Sequence, residues 1–72
     1  MTQRREIIKR ISKAAKAKGM SFDMKREGAK HTVFDLDGLM IPIARHNDIA
    51  EMTTQGIYKE CEPKLGKGWW RK

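Results

Sequence analysis

An Asp-Gly pair between two extended segments constrains the fold of this chain more than any other feature. Residues 31–36 form an extended run with a period of two, Asp37-Gly38 follows directly, and a second extended run covers residues 39–43. Asp-Gly favours the positive φ angles of a two-residue hairpin turn, and the side chains of a strand alternate between its two faces. We therefore predict two antiparallel strands. One face of the first strand carries Thr32, Phe34 and Leu36, and the other carries His31, Val33 and Asp35.

A further strand is predicted before the Gly28-Ala29 turn. Residues 21–26 alternate, with Phe22 and Met24 on one side, which is typical of a half-buried strand. Pro42 lies in the run that follows the hairpin turn, and proline cannot donate a ladder hydrogen bond. That strand is therefore expected at a sheet edge or at a bulge, and the three strands form a meander.

An amphipathic helix is predicted before the strands, from an N-cap at Thr2 to Gly19. Its apolar positions recur at helical spacing and are Ile7, Ile8, Ile11, Ala14 and Ala15. The opposite face is basic and carries Arg5, Lys9, Lys13 and Lys16. This helix has one face for the core and one for a negatively charged partner or for solvent.

A second helix is predicted from an N-cap at Thr53 or Thr54 through Cys61, with an end or a kink near Glu62 because Pro63 follows. The expected architecture is an α+β fold in the order α-β-β-β-α, with both helices on one face of a three-stranded antiparallel sheet. With 72 residues the chain forms one domain, residues 1–72, too small for a dinucleotide-binding enzyme. We expect a cytosolic protein, because the chain has no hydrophobic signal or membrane-spanning segment and only one cysteine.

The charge of the chain indicates a polyanionic partner. Sixteen Lys and Arg against nine Asp and Glu leave a formal charge of +7. A solvated basic surface is the alternative, but nucleic acid is the best single interpretation. Trp69 and Trp70, near the end of the chain, either cap the core or stack on bases. We expect at least one of them to pack, since a core this small needs the area.

His31 is the candidate general acid and base. A neutral imidazole near pH 7 can accept a proton and its conjugate acid can return one. RNA cleavage needs a base for the 2′-hydroxyl, an acid for the leaving 5′-oxygen and cations for the charged phosphorane. Lys30, Arg26 and Arg45 are the candidate cations. A purely structural imidazole at the surface or the core edge remains the alternative.

His46 follows Arg45 and is a candidate second phosphate or acid group, or else a loop histidine that contacts the backbone. We expect no metal site, because His31, His46 and Cys61 lack the short spacing of metal ligands. Cys61 is expected to be a small buried apolar residue. We expect no nucleotide cofactor, since the glycines form no phosphate-binding loop. The remaining candidates for proton transfer are interpreted as solvated charges and are Asp35, Asp37, Glu60 and Glu62.

Four segments together resemble the HicA toxins of bacterial type II toxin-antitoxin systems. They are residues 26–31 (REGAKH), 41–46 (IPIARH), 53–57 (TTQGI) and 65–71 (LGKGWWR), in the order and spacing of that family. The resemblance implies a double-stranded-RNA-binding-like fold and a ribosome-independent endoribonuclease that cleaves mRNA. It also implies a HicB-like antitoxin protein as partner, which covers the site.

The resemblance places the family's catalytic histidine at His31, in the second strand of the meander. Gly28 forms the turn at the site. The family usually has Gly-Ser, or a second histidine, where this chain has Ala29 and Lys30. Lys30 then places a cation at the phosphate. Two other functions remain open: a non-catalytic RNA-binding module of the same fold, and an adaptor whose basic face binds an acidic protein. The first ranks lower because residues 53–58 contain no Lys or Arg.

Overall fold

The computed structural model describes residues 1–28 and 30–71. Ala29, in the predicted turn, and Lys72, at the C-terminus, lie outside the described residues. The elements in chain order are β1 (Thr2–Gln3), α1 (Arg4–Ala17), β2 (Phe22–Glu27), β3 (His31–Leu36), β4 (Leu39–Ala44), β5 (Asp48–Ile49), α2 (Glu51–Glu60), α3 (Glu62–Leu65) and a 3₁₀ turn (Trp69–Arg71).

The three central strands form an antiparallel sheet in the order β2-β3-β4, which confirms the meander. Leu36 pairs with Leu39 across the hairpin, and the two turn residues have positive φ angles, 49° at Asp37 and 96° at Gly38. These angles are those of a type I′ turn, whose twist matches that of the flanking strands. The Gly38 amide also donates a hydrogen bond to the Asp35 carboxylate at 2.6 Å.

The strand β2 departs from the predicted alternation. A bulge lies between Met24 and Arg26, so the period of two ends there. Phe22 packs as expected, with its ring centroid 4.9 Å from that of Phe34. Met24 lies opposite Phe34, on the same side of the strand as Phe22, as predicted, and it is 58% exposed because β2 is an edge strand. Pro42 lies in the other edge strand, β4, as predicted.

The predicted N-cap at Thr2 is also wrong. Thr2 belongs to β1, which pairs with β5 through Thr2 and Ile49, and α1 begins two residues later. The end of α1 at Gly19 is confirmed. The Met20 amide donates to the Ala15 carbonyl at 2.8 Å and the Gly19 amide to Lys16 at 3.1 Å, the two bonds of a Schellman motif.

The second helix begins earlier than predicted, at Glu51 after Ala50. Neither Thr53 nor Thr54 is the N-cap, because both lie inside the helix. Thr54 is buried, and its amide donates to the Ala50 carbonyl at 2.9 Å. The predicted break near Glu62 is confirmed: α2 ends at Glu60, and the single turn α3 follows, with Pro63 in its first turn, where the missing amide proton costs nothing.

One core joins both long helices to a single face of the sheet. Its members are Ile7, Ile11 and Ala15 from α1, Phe34, Leu36, Ile41 and Ile43 from the sheet, and Ile57, Tyr58 and Cys61 from α2, with Ile49, Leu65 and Trp70. The α+β class is therefore confirmed. The opposite sheet face is left uncovered. No helix among the described residues is long and apolar enough to cross a membrane.

Two glycine substitutions should change stability in opposite directions. Gly38→Ala should lower the free energy of unfolding by about 1 to 2 kcal/mol, because an L-residue is strained at a φ of 96°. Gly56→Ala, inside α2 and with nothing within 4 Å of an added Cβ, should raise it by about 1 kcal/mol. Urea unfolding followed by circular dichroism measures both. Equal stabilities would contradict the turn and helix assignments.

Candidate functional site

His31 lies at the start of β3 on the uncovered face of the sheet, where its side chain is exposed. It lines an open cleft of about 270 Å³ between the sheet and α2. The sheet side of this cleft is formed by Pro42 and Ala44, and the helix side by Thr53, Gly56, Ile57 and Glu60. The imidazole is thus accessible to a large ligand and has a carboxylate residue in the same cleft.

The turn before His31 is held by a close backbone approach. The Gly28 amide donates to the His31 carbonyl at 2.8 Å. A Cβ at position 28 would lie 3.0 Å from that same carbonyl oxygen, so any larger residue would push the two strands apart. This close backbone contact explains why glycine occupies position 28, where the sequence predicts the turn of the site.

Arg45, directly after β4, stabilises this turn through hydrogen bonds and an ion pair. Its guanidinium donates to the Gly28 carbonyl at 2.8 Å and contacts the Glu27 carboxylate at 3.2 Å, while its amide donates to the Lys30 carbonyl at 3.3 Å. Both charged side chains are about half exposed, so the ion pair itself contributes about 0 to 1 kcal/mol. The hydrogen bonds of Arg45 thus position the turn that precedes His31.

Arg4 holds the same end of the sheet from the core side, a role that the sequence pattern did not indicate. Its guanidinium donates to the Thr32 hydroxyl at 2.9 Å and to the Ala44 carbonyl at 3.1 Å. Thr32 is fully buried, so this bond satisfies a hydroxyl that water cannot reach. The strand ends that carry His31 are therefore fixed by hydrogen bonds from both Arg45 and Arg4.

Arg26 lies further along the uncovered face. The bulge in β2 lets the consecutive residues Lys25 and Arg26 line one cleft, of about 520 Å³, together with Val33, Met40 and Pro42. Pro42 also lines the His31 cleft. The two clefts are therefore neighbours, and the cations border a surface that continues to the imidazole.

The structure gathers most of the predicted site residues at one end of the sheet and leaves one apart. Lys30 is exposed directly before His31. His46 is exposed in the connection between β4 and β5 and does not line the His31 cleft. The group at the sheet end is therefore Gly28, Lys30, His31 and Arg45, with Arg26 beyond it.

The interpretation of four carboxylates as solvated charges needs correction. Asp37 contacts the Lys64 ammonium at 3.5 Å, and Glu62 accepts a hydrogen bond from the Gly68 amide at 2.9 Å. The Asp35 carboxylate accepts the hydrogen bond from the Gly38 amide in the hairpin turn. Glu60 lines the His31 cleft, and burial raises the pKa of its carboxyl. Its spacing of four from Gly56 and seven from Thr53, which places all three on one helix face, could have indicated this.

Cys61 is fully buried, as predicted, and burial raises the pKa of its thiol to about 12. The thiol therefore stays protonated at neutral pH. Among residues 1–28 and 30–71, no three His, Cys, Asp or Glu side chains gather into a group that could hold a metal ion.

The remaining basic and aromatic candidates lie on the helical side. The four basic residues predicted for the outer face of α1 are all exposed. Trp70 is buried, which confirms that one tryptophan packs, and Trp69 is half-buried against the core.

Comparison with family models, curated proteins and solved structures finds no significant match to this chain.

The raised pKa of Glu60 predicts a pH-dependent stability. Folding favours the neutral acid, so wild type should lose stability relative to Glu60→Gln as the pH rises through the folded-state pKa. The two proteins should have equal midpoints below the unfolded-state pKa, where both side chains are neutral. Thermal unfolding between pH 3 and 8 measures the difference. A variant that is less stable than wild type at pH 7 would show that the ionised carboxylate is instead favoured in the fold.

Proposed function

We propose that this protein is an endoribonuclease of the HicA toxin type, which cleaves mRNA with His31 as general acid and base. The observation that carries the proposal is the position of His31, exposed in an open cleft between the sheet and α2, with Lys25 and Arg26 along the adjoining uncovered sheet face. A shallow cleft suits a polymer strand, which has no need of a deep pocket.

The chemistry is cleavage by the neighbouring 2′-hydroxyl. Neutral His31 takes the 2′-hydroxyl proton, the 2′-oxygen attacks phosphorus, and the bond from phosphorus to the 5′-oxygen breaks. Protonated His31 or another acid in the cleft supplies the proton to that leaving oxygen. The products are a 2′,3′-cyclic phosphate and a 5′-hydroxyl. This route requires no metal, so activity should persist in a chelator.

The surrounding side chains bind phosphate and position His31. Lys30 and Arg26 bind phosphate, and Arg45 holds the turn and adds positive charge. His46, which lies outside the cleft, is a candidate contact for a flanking phosphate.

The order of elements supports the finer assignment. A helix, a three-stranded antiparallel meander and a second helix on the same face are what a double-stranded-RNA-binding-like fold requires. On this proposal the protein acts on mRNA in the cytoplasm. Its activity is blocked by a HicB-like antitoxin that covers the His31 cleft.

The catalytic role of His31 is tested by expression. Wild type should arrest growth and degrade RNA, and His31→Ala should abolish both while retaining the circular dichroism spectrum of wild type. Gly56→Leu is the second variant. Position 56 of α2 has open space around an added Cβ, so the leucine should not reduce stability. Its side chain should fill the His31 cleft and reduce cleavage at least tenfold. Cleavage products are sized on gels with and without a chelator.

Equal RNA degradation by wild type and His31→Ala would overturn the assignment of His31. Binding of RNA by purified wild type without any cleavage would instead establish the non-catalytic RNA-binding module.

The phosphate contacts predict a change in salt dependence. Binding of single-stranded RNA should weaken with salt at a log-log slope of about −0.7 per phosphate contacted, so Lys30→Ala should reduce the slope by about 0.7. Lys67→Ala, an exposed lysine in the C-terminal segment, is the matched control. Arg45→Lys should keep the slope and reduce the cleavage rate, because an ammonium lacks the planar fork with which the guanidinium contacts Gly28 and Glu27. An unchanged slope in Lys30→Ala would mean that Lys30 does not contact phosphate.

A further inference from the structure

A groove on the helical side of the molecule lies outside the proposed catalytic cleft. It runs between α1 and the C-terminal 3₁₀ turn and has a volume of about 410 Å³. Its lining residues are Arg10, Lys13, Ala14, Ala17, Trp69 and Trp70. None of them lines the His31 cleft. The groove combines an apolar floor of alanine and indole with a rim of two cations.

Trp69 is held rigidly at this groove. Its indole nitrogen donates to the Tyr58 carbonyl at 2.9 Å. Its ring meets Tyr58 and Trp70 edge to face, at centroid distances of 5.2 and 5.9 Å. Since the indole N–H is already used, the part of Trp69 that remains for a ligand is its aromatic surface. An aromatic surface recognises another flat ring system or a cation, and it offers nothing to a carboxylate.

The charges at the groove favour an anion over a cation. Arg10 is oriented by Glu6 at 3.5 Å and by the Trp70 carbonyl at 3.4 Å, and it still lines the groove. Lys13 is exposed on the basic face of α1, between Lys9 and Lys16. Within the described part of the chain, no acidic side chain lines the groove. The ligand therefore needs negative charge next to a flat ring.

We propose that this groove binds a nucleotide of single-stranded RNA, with its base stacked on Trp69 and its phosphate at Lys13 and Arg10. The inference rests on the proposed function only in taking RNA as the ligand. Stacking is tolerant of base identity because every base has a π-face. The groove therefore adds affinity for the strand, whereas the His31 cleft performs the cleavage.

Intrinsic tryptophan fluorescence gives a direct test. The probe is a ten-nucleotide 2′-deoxy strand, which lacks the attacking hydroxyl and cannot be cleaved. Binding should quench the fluorescence of wild type and of His31→Ala equally. Trp69→Phe should weaken binding about tenfold, because stacking on the smaller ring is poorer. Lys13→Ala should reduce the salt slope by about 0.7.

Lys9→Ala is the matched control, since it removes the same charge from the same helix outside the groove lining. It should leave quenching intact. Thermal unfolding of each variant checks that the fold persists. Inorganic polyphosphate, which has no bases, should bind without quenching.

Three results would overturn the proposal that this groove binds a nucleotide. One is binding of the deoxy strand without quenching. The second is identical behaviour of Lys13→Ala and Lys9→Ala together with unweakened binding by Trp69→Phe. The third is quenching by poly-glutamate as strong as that by the strand, which would assign the groove to an acidic protein. Quenching without RNA cleavage by wild type would refute the catalytic proposal alone, and cleavage without quenching would refute the groove alone.

Discussion

The register of β3 is the constraint on which the rest of the structure depends. Thr32, Phe34 and Leu36 are buried, so strand alternation directs His31 and Val33 to the opposite face. A slip of one residue would exchange the two sets and place an imidazole in the core. Because α1 and α2 both pack on the first face, the second stays open to a large ligand. The exposure of the candidate catalytic group thus follows from the burial of its neighbours.

Positioning of His31 within that face depends on hydrogen bonds that converge on the strand ends. Arg45 reaches back to the Gly28 carbonyl, and Arg4 contacts Thr32 and the end of β4 from the core side. These contacts are directional and link segments far apart in the chain. A general acid and base must stay within hydrogen-bond reach of its substrate, so a fixed strand end suits the proposed chemistry.

The excess positive charge separates into two surfaces with different surroundings. Around the His31 face, Lys25 and Arg26 border Val33, Met40 and Pro42, which offer no aromatic ring for stacking. On the helical side, Lys13 and Arg10 border an indole that is fixed by its neighbours. A single strand of RNA could use both surfaces, since one supplies the proposed chemistry and the other a stacking platform. The net charge alone does not distinguish them.

Local patterns in the sequence determined the helix from its apolar spacing, the hairpin from Asp37-Gly38 and the strand face that His31 shares with Val33, because each depends on residues close in the chain. Tertiary structure decided which residues that are distant in the sequence come into contact. It paired Thr2 with Ile49 in place of a helix cap, interrupted β2 with a bulge, and brought Glu60 into the cleft of His31. Capping and alternation are local preferences of about 1 kcal/mol, so pairing and core packing override them where the two disagree.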